Sequence, residues 1–195
     1  MTKIGELSHS FGVLGSMYLC KPTKEAVANW RSLLHEDTPP VLEDLRNALC
    51  GIDLESEQAM EDTLWEYTRL FVGPYKLPCP PWESVYTSPK RLMMQEAHDA
   101  VSDFYNQAGL EIDDANVQPD HIGAELNFMA ILWQRMEEDP EKDPYYKALG
   151  ERFLEEHLRN WVPEFSRDLE SASGIAFYKT LARATRDTVL RKGLE

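Results

Sequence analysis

Apolar residues recur every three or four positions along most of this chain. In the first such stretch Ile4, Leu7, Phe11, Leu14 and Tyr18 fall on one face, a spacing that predicts an amphipathic helix. Strand-type alternation is weak throughout. We therefore predict an all-α fold, a single bundle of about nine or more helices. Beyond the first, the helical stretches run over about residues 22–34, 41–49, 55–71, 92–108, 120–138, 145–161, 163–172 and 175–191.

Several helix boundaries are predicted from single residues. Gly109 is placed to end the helix before it, as a C-cap. Asp120 is a good N-cap residue for the long helix that follows, with His121 in its first turn. Asp139-Pro140 is expected to end that helix.

Late in the chain, aromatic residues surround a proline that we expect to break the helix. Pro163 lies between Trp161 and Phe165. The pattern is typical of a hinge in the core between the last helices, with both aromatic side chains buried.

The stretch from residue 67 to residue 86 combines prolines with large aromatic side chains. Four prolines fall within eight residues, at positions 74, 78, 80 and 81, which excludes ordinary helix and central strand there. Yet this loop also carries Tyr75, Leu77, Trp82, Val85 and Tyr86. It is either a rigid connector between two helical halves or a rigid docking surface. We treat residues 1–195 as one domain, with a candidate seam at residues 73–89.

Composition indicates a globular protein of the cytoplasm. The 195 residues are 43% hydrophobic, and Cys20, Cys50 and Cys79 stand singly, as reduced thiols do in the cytosol. No apolar run reaches the roughly 20 residues that span a membrane. The amphipathic N-terminus does not predict a signal peptide. Nothing near Cys79 would lower the pKa of its thiol, so we expect it to be unreactive.

The net charge of −14 excludes nucleic acid as an expected partner, because phosphate binding needs clustered lysine and arginine. It is compatible with a cationic partner, and equally with a role in solubility. No Lys or Arg lies between Arg91 and Arg135, which predicts a negative surface. The acidic residues of that stretch are Glu96, Asp99, Asp103, Glu111, Asp113, Asp114, Asp120 and Glu125.

The sequence Pro119-Asp120-His121, with Glu125 one turn later, is the strongest polar motif. Three interpretations stay open: a capped helix with an incidental histidine, a polar recognition site, or a metal or catalytic site. A third metal ligand at useful spacing is missing. Glycine-rich phosphate loops and the GxSxG and HExxH motifs are absent as well. We predict no catalytic residue, no metal and no cofactor.

Taken together, these motifs resemble the TorD/DmsD family of cytoplasmic redox-enzyme maturation chaperones. The residues that carry the resemblance lie in order along the chain: Leu70-Phe71-Val72-Gly73-Pro74, Pro80-Pro81-Trp82-Glu83-Ser84-Val85-Tyr86, Pro119-Asp120-His121 with Leu126 and Met129, and His157-Leu158 with Trp161 and Phe165. Family members often carry Trp where Tyr67 and Tyr75 stand here.

The resemblance implies an all-α binding protein without catalysis. Its partner would be the precursor of a molybdopterin-dependent oxidoreductase catalytic subunit, held for cofactor insertion and kept from early export through its twin-arginine signal peptide. The residues it implies for signal-peptide binding are Tyr67, Leu70, Tyr75, Pro81, Trp82, Asp120 and His121, and we add Glu125. Carboxylates such as Asp120 are suited to an arginine fork.

Two alternatives from other functional classes remain. One is a small metal-dependent hydrolase centred on Asp120, His121 and Glu125, and the other is an adaptor that docks a folded partner through the proline loop. The oligomeric state is expected to be a monomer or a domain-swapped dimer.

Overall fold

α-Helices joined by short connections make up the structure, a computed structural model that describes residues 2–34, 38–74, 76–112, 114, 116–139 and 141–191. Three tighter or wider turns interrupt the series: a 3₁₀ turn at Pro40–Leu42 and π-helical turns at Thr68–Val72 and Leu154–Leu158. Within the described ranges no strand is present, which confirms the all-α prediction. The helices are α1 (Lys3–Leu19), α2 (Lys24–Leu33), α3 (Glu43–Cys50), α4 (Glu57–Tyr67), α5 (Glu83–Thr87), α6 (Glu96–Gln107), α7 (Ile122–Glu138), α8 (Asp143–Phe153), α9 (Arg159–Ala172) and α10 (Ala176–Leu190).

Side-chain caps fix the starts of three helices. Thr2, Thr23 and Ser56 have extended backbones, and each side-chain oxygen accepts a hydrogen bond from the backbone N–H three residues later, at 2.9, 3.2 and 3.2 Å. Each such cap contributes about 1 kcal/mol to the stability of its helix. Local sequence therefore determines where α1, α2 and α4 begin.

Helix α6 begins later than predicted and ends where predicted. Its start moves to Glu96 because Arg91 and Met94 adopt left-handed backbones, with φ of +51° and +55°, and cannot continue a helix. At its end Gly109 has φ of +64°, and the Leu110 N–H donates to the carbonyl of Tyr105 at 2.9 Å. This closure of the last turn confirms the glycine cap.

Two predictions about proline were wrong. Helix α9 runs through Pro163 without a break, and the departure from regular α geometry lies just before it, in the π-helical turn Leu154–Leu158. The proline stretch also ends sooner than expected, because α5 begins at Glu83, only two residues after Pro81. A proline restricts itself and the residue before it, so it leaves the following residues free to form a helix.

Helices α1 and α7 pack closely at a pair of glycines. A Cβ atom added to Gly15 would lie 2.9 Å from the carbonyl oxygen of Gly123, and one added to Gly123 would lie 2.9 Å from that of Gly15. Side chains at these positions would force the helices apart. The close approach fixes the N-terminal end of α7, which begins one residue before Gly123.

A continuous hydrophobic core includes side chains from both sides of residues 73–89. Trp161 and Phe165 are fully buried in it, as predicted, and truncating either to alanine would cost about 3–5 kcal/mol. None of the helices in the described part of the chain combines the length and apolar character needed to cross a membrane.

Three carboxylates are buried where α5 meets α7 and α9: Glu83, Asp120 and Glu125, hereafter the buried acidic cluster. Oε2 of Glu83 lies 2.8 Å from Nδ1 of His157, and Oε2 of Glu125 accepts a hydrogen bond from Nε1 of Trp161 at 3.1 Å. Burial, reinforced by the negative charge of Glu83, raises the pKa of Glu125 well above its ordinary value. This favours the neutral acid form of Glu125.

Replacing Glu125 by Gln should therefore stabilise the protein increasingly as the pH rises. A raised folded-state pKa means that the stability contributed by the wild-type acid is complete below about pH 4.3, the unfolded value, and is lost progressively above it. The amide mimics the neutral acid and does not titrate. Urea unfolding at pH 4, 6 and 8 should show no gain at pH 4, a gain at pH 6 and a larger gain at pH 8.

The control is Glu61→Gln, which neutralises an exposed carboxylate of α4. A loss of stability in Glu125→Gln that is the same at all three pH values would contradict the assignment, because it would show that Glu125 is ionised and needed in that form.

Candidate functional site

An isolated antiparallel bridge joins the end of the proline stretch to the start of α7. The Ile122 N–H donates to the carbonyl of Pro81, and the Glu83 N–H donates to the carbonyl of Asp120, both at 2.9 Å. The bridge pairs Trp82 with His121 directly. Two motifs that are far apart in the sequence therefore form one surface.

Asp120 does not cap α7, and that prediction was wrong. It is 1% exposed, and its Oδ2 accepts hydrogen bonds from the backbone N–H of Ser84, at 3.0 Å, and from the Ser84 hydroxyl. Ser84 is in the first turn of α5, where an N–H has no partner within the helix and an anion is favourable. Asp120 thus caps α5, a helix whose own flanking residue Trp82 provides no side-chain cap.

His121 is the N-cap of α7 instead. Its Nδ1 accepts a hydrogen bond from the Gly123 N–H at 3.1 Å, which requires the proton of the neutral ring to be on Nε2. Burial lowers the pKa of His121 to about 4, so the ring is neutral at physiological pH.

Trp82 and His121 form the half-buried part of the site. Their ring centroids are 6.0 Å apart with an interplanar angle of 73°, an edge-to-face contact. Both side chains keep part of their surface open to solvent. Hereafter this pair is called the Trp82–His121 pair.

The other residues predicted for binding are deeper. Tyr67, Leu70, Pro81 and Glu125 are buried, as is Asp120. The Tyr67 hydroxyl donates to the carbonyl of Tyr18 at 3.2 Å, so this side chain joins α4 to α1. Tyr75 lies outside the described residues. In this conformation these side chains are not exposed to a ligand, and their part in binding stays a prediction.

Three residues of the motifs that carry the family resemblance, Glu83, Ser84 and His157, were assigned no role from the sequence. Together with Asp120 they hold α5 in place, through the contacts of Ser84 with Asp120 and of Glu83 with His157. A signal was present, since Glu83 and Ser84 are polar residues between the large apolar Trp82 and Val85. Buried polar groups of this kind need partners, so they point to a network.

Cys79 is buried beneath this region, 3.7 Å from the carbonyl of Leu70. Burial raises the pKa of its thiol to about 12, with a smaller contribution from the charge of Asp168. Little thiolate forms at neutral pH, which confirms the prediction of an unreactive cysteine.

The residues of the hydrolase alternative do not converge. His121 directs Nδ1 at Gly123, Asp120 is bound to Ser84, and Glu125 is bound to the indole of Trp161. Across the described ranges, no three His, Cys, Asp or Glu side chains stand close enough to share a metal ion. The geometry therefore gives the metal-dependent hydrolase no support.

The predicted negative surface is present in part. The carboxylates at its exposed positions come from α6 and from the chain that leads to α7: Glu96, Asp99, Asp103, Glu111 and Asp114. Asp120 and Glu125 are buried and do not contribute to the surface, and Asp113 lies outside the described residues.

Comparison with known proteins now adds to this geometry. Residues 19–167 match the model of a family described as nitrate reductase delta subunit. A protein of Haemophilus influenzae named as probable Tat proofreading chaperone DmsD is 33% identical over 135 residues, 68% of this chain and 62% of that protein. The chain thus matches less than two thirds of this relative's length.

Other relatives extend the match. The Tat proofreading chaperone DmsD of Salmonella typhi is 28% identical over 183 residues, which are 91% of this chain and 84% of the relative. The chaperone protein TorD of Ferrimonas balearica is 29% identical over 129 residues, 66% of this chain and 59% of the relative.

A solved structure shares the fold. It is a redox enzyme maturation protein of Archaeoglobus fulgidus, with a TM-score of 0.66 and 23% identity, and the match covers 96% of this chain and 93% of that one. The region that matches the family model, residues 19–167, contains both the bridge and the buried acidic cluster. The chain belongs to the TorD/DmsD family, by its match to the nitrate reductase delta subunit model and to the DmsD and TorD chaperones.

Proposed function

We propose that this protein is a system-specific chaperone for the precursor of a molybdopterin-dependent oxidoreductase catalytic subunit. It binds the twin-arginine signal peptide of that precursor, assists cofactor insertion and prevents premature export. It acts in the cytoplasm, by binding alone and without catalysis. The names of its relatives, which include Tat proofreading chaperones, support this function.

The observation that carries the proposal is the Trp82–His121 pair. It is an aromatic surface, half-exposed, on a backbone that the bridge and the proline stretch keep rigid. A rigid aromatic surface binds without a large loss of conformational entropy. The carbonyl of Pro81 accepts the Ile122 N–H and so takes part in the bridge that holds the pair.

The chemistry of a twin-arginine leader suits such a surface. The leader combines two guanidinium groups with an apolar run. Each large apolar side chain that is buried on the aromatic surface contributes roughly 1.5–3 kcal/mol. Charge-assisted hydrogen bonds to arginine contribute roughly 1.5–3 kcal/mol each. After ordering costs, two or three such contacts correspond to about −8 kcal/mol, or micromolar affinity, which allows release of the client.

Titration calorimetry with a synthetic twin-arginine leader, taken from a molybdoenzyme encoded beside this gene, tests the function. The wild type should bind with a micromolar dissociation constant, and Trp82→Ala should bind about 10- to 100-fold more weakly because it lacks the aromatic surface. The matched control is Trp65→Ala, which removes a tryptophan of α4 that is 65% exposed and takes no part in the bridge. It should bind like the wild type.

Both variants are first checked for folding by circular dichroism and urea unfolding. Equal affinity in wild type and a folded Trp82→Ala would refute this binding surface. Binding of the mature enzyme domain without its leader would instead favour the adaptor alternative.

Substitutions of His121 separate its two roles. Asn at this position still accepts the Gly123 N–H as an N-cap but presents no ring to Trp82. We therefore expect His121→Asn to unfold within about 0.5 kcal/mol of the wild type, whereas His121→Ala should lose about 1 kcal/mol. Both should bind the leader about tenfold more weakly.

The measurements are urea unfolding and the same calorimetric titration. If His121→Asn binds the leader as tightly as the wild type does, the ring has no part in recognition and His121 serves only as a cap.

A further inference from the structure

A cavity lies beside α5. Its volume is about 500 Å³, and it opens between α5, the loop that follows α5, the first two turns of α6, and the π-helical turn that precedes α9. Side chains from these segments line it. They include Glu83, Lys90, Glu96, Glu156 and His157.

Negative charge dominates this lining. Glu83 lines the cavity although its side chain is only 3% exposed. The imidazole of His157, which contacts Glu83, is similarly buried. Glu96 adds an exposed carboxylate, and Glu156 adds one that is paired with Arg152. The lining also contains Lys90, whose single positive charge is outnumbered by these three carboxylates.

The other two carboxyl groups of the buried acidic cluster do not line the cavity, but both interact with Glu125 or Glu83 nearby. Oδ1 of Asp120 and Oε1 of Glu125 are buried without a hydrogen-bond partner. In the part of the chain that the structure describes, Glu83 of the buried acidic cluster contacts His157, and no lysine or arginine forms a salt bridge with the cluster. The charges of Glu83 and Asp120 both raise the pKa of Glu125, so each of them repels a negative charge on Glu125. A cation in the cavity would offset this repulsion.

An apolar segment, residues 92–94, lies in the chain between Lys90 and Gln95, two residues that line the cavity, and is hereafter called the rim. Leu92 is 52% exposed and Met94 is 62% exposed, with Met93 between them. Gln95 holds the segment, because its backbone N–H donates to the Ser84 hydroxyl and its side chain donates to the carbonyls of Met93 and Met94. Exposed leucine and methionine side chains adapt readily to an apolar partner.

Arg91 turns away from this segment. Its guanidinium lies 5.1 Å from the ring centroid of Tyr86 and 3.4 Å from Oε1 of Glu164. The rim therefore presents apolar side chains beside an acidic cavity. That pairing matches a peptide in which arginine stands next to apolar residues.

We propose that this cavity binds an arginine side chain of the leader, and that Leu92, Met93 and Met94 contact the apolar residues next to that arginine. The assignment rests on the proposed function and specifies where the guanidinium group goes. Asp120, which sequence reasoning offered for an arginine, is buried against Ser84, whereas Glu83 and Glu96 face the cavity. Glu83, which lines the cavity, directly follows Trp82 in the chain, so one extended peptide can reach both the Trp82–His121 pair and the cavity.

Charge substitutions of opposite sign test the assignment. Glu96→Gln should weaken leader binding about two- to fivefold, and Lys90→Gln should strengthen it by a similar factor. Both effects should disappear with a leader whose two arginines are replaced by glutamine. The matched control is Asp103→Asn, an exposed carboxylate of α6 that does not line the cavity. It should leave the affinity unchanged.

A second probe separates this proposal from the function on which it rests. L-argininamide is titrated into isotope-labelled protein, and the backbone amides of Ala97 and Ala100, which line the cavity, are followed by NMR. Shifts at these amides support a guanidinium site even if no leader binds, a result that would refute the proposed function alone. A leader that binds equally well to wild type, Glu96→Gln and Lys90→Gln, without argininamide shifts, would refute the cavity and leave the function intact.

Discussion

The capping of α5 by Asp120 is the interaction on which the candidate site depends. Helix α5 has five residues, far fewer than an isolated helix needs to be stable in water. Its first turn is completed from outside, by the carboxylate of Asp120 on Ser84 and by the backbone bridge to α7. Because α7 is itself fixed against α1 at Gly15 and Gly123, the position of Trp82 follows from the packing of the bundle.

The buried acidic cluster has a cost that the rest of the core must offset. Removing carboxylates from water is unfavourable, and among the described residues no lysine or arginine is paired with this cluster. A neutral Glu125 reduces that cost, and its hydrogen bond with Trp161 joins α7 to α9. An apolar core would lack the direction that these hydrogen bonds give to α5. The same carboxylates leave the neighbouring cavity with an excess of negative charge.

Local rules predicted most of the fold and only part of the site. Periodicity identified the helices other than α5, and Thr23 and Gly109 act at the ends of helices where their chemistry is self-contained. Asp120 satisfies the same capping rule, but it caps a helix 36 residues away, which no local pattern could indicate. The aromatic surface at Trp82 was visible in the sequence. The cavity beyond α5 was not, because α5, α6 and α9 meet there only in the folded chain.

Indole N–H resonances of the five tryptophans offer the most direct test that the surface built on α5 receives the leader. In a titration of labelled protein with the leader peptide, the signal of Trp82 should shift. That of Trp65, exposed on α4, should stay in place, as should that of the buried Trp30. A shift of Trp65 with no change at Trp82 would contradict the account, because it would put the leader on a surface that the bridge between α5 and α7 does not form.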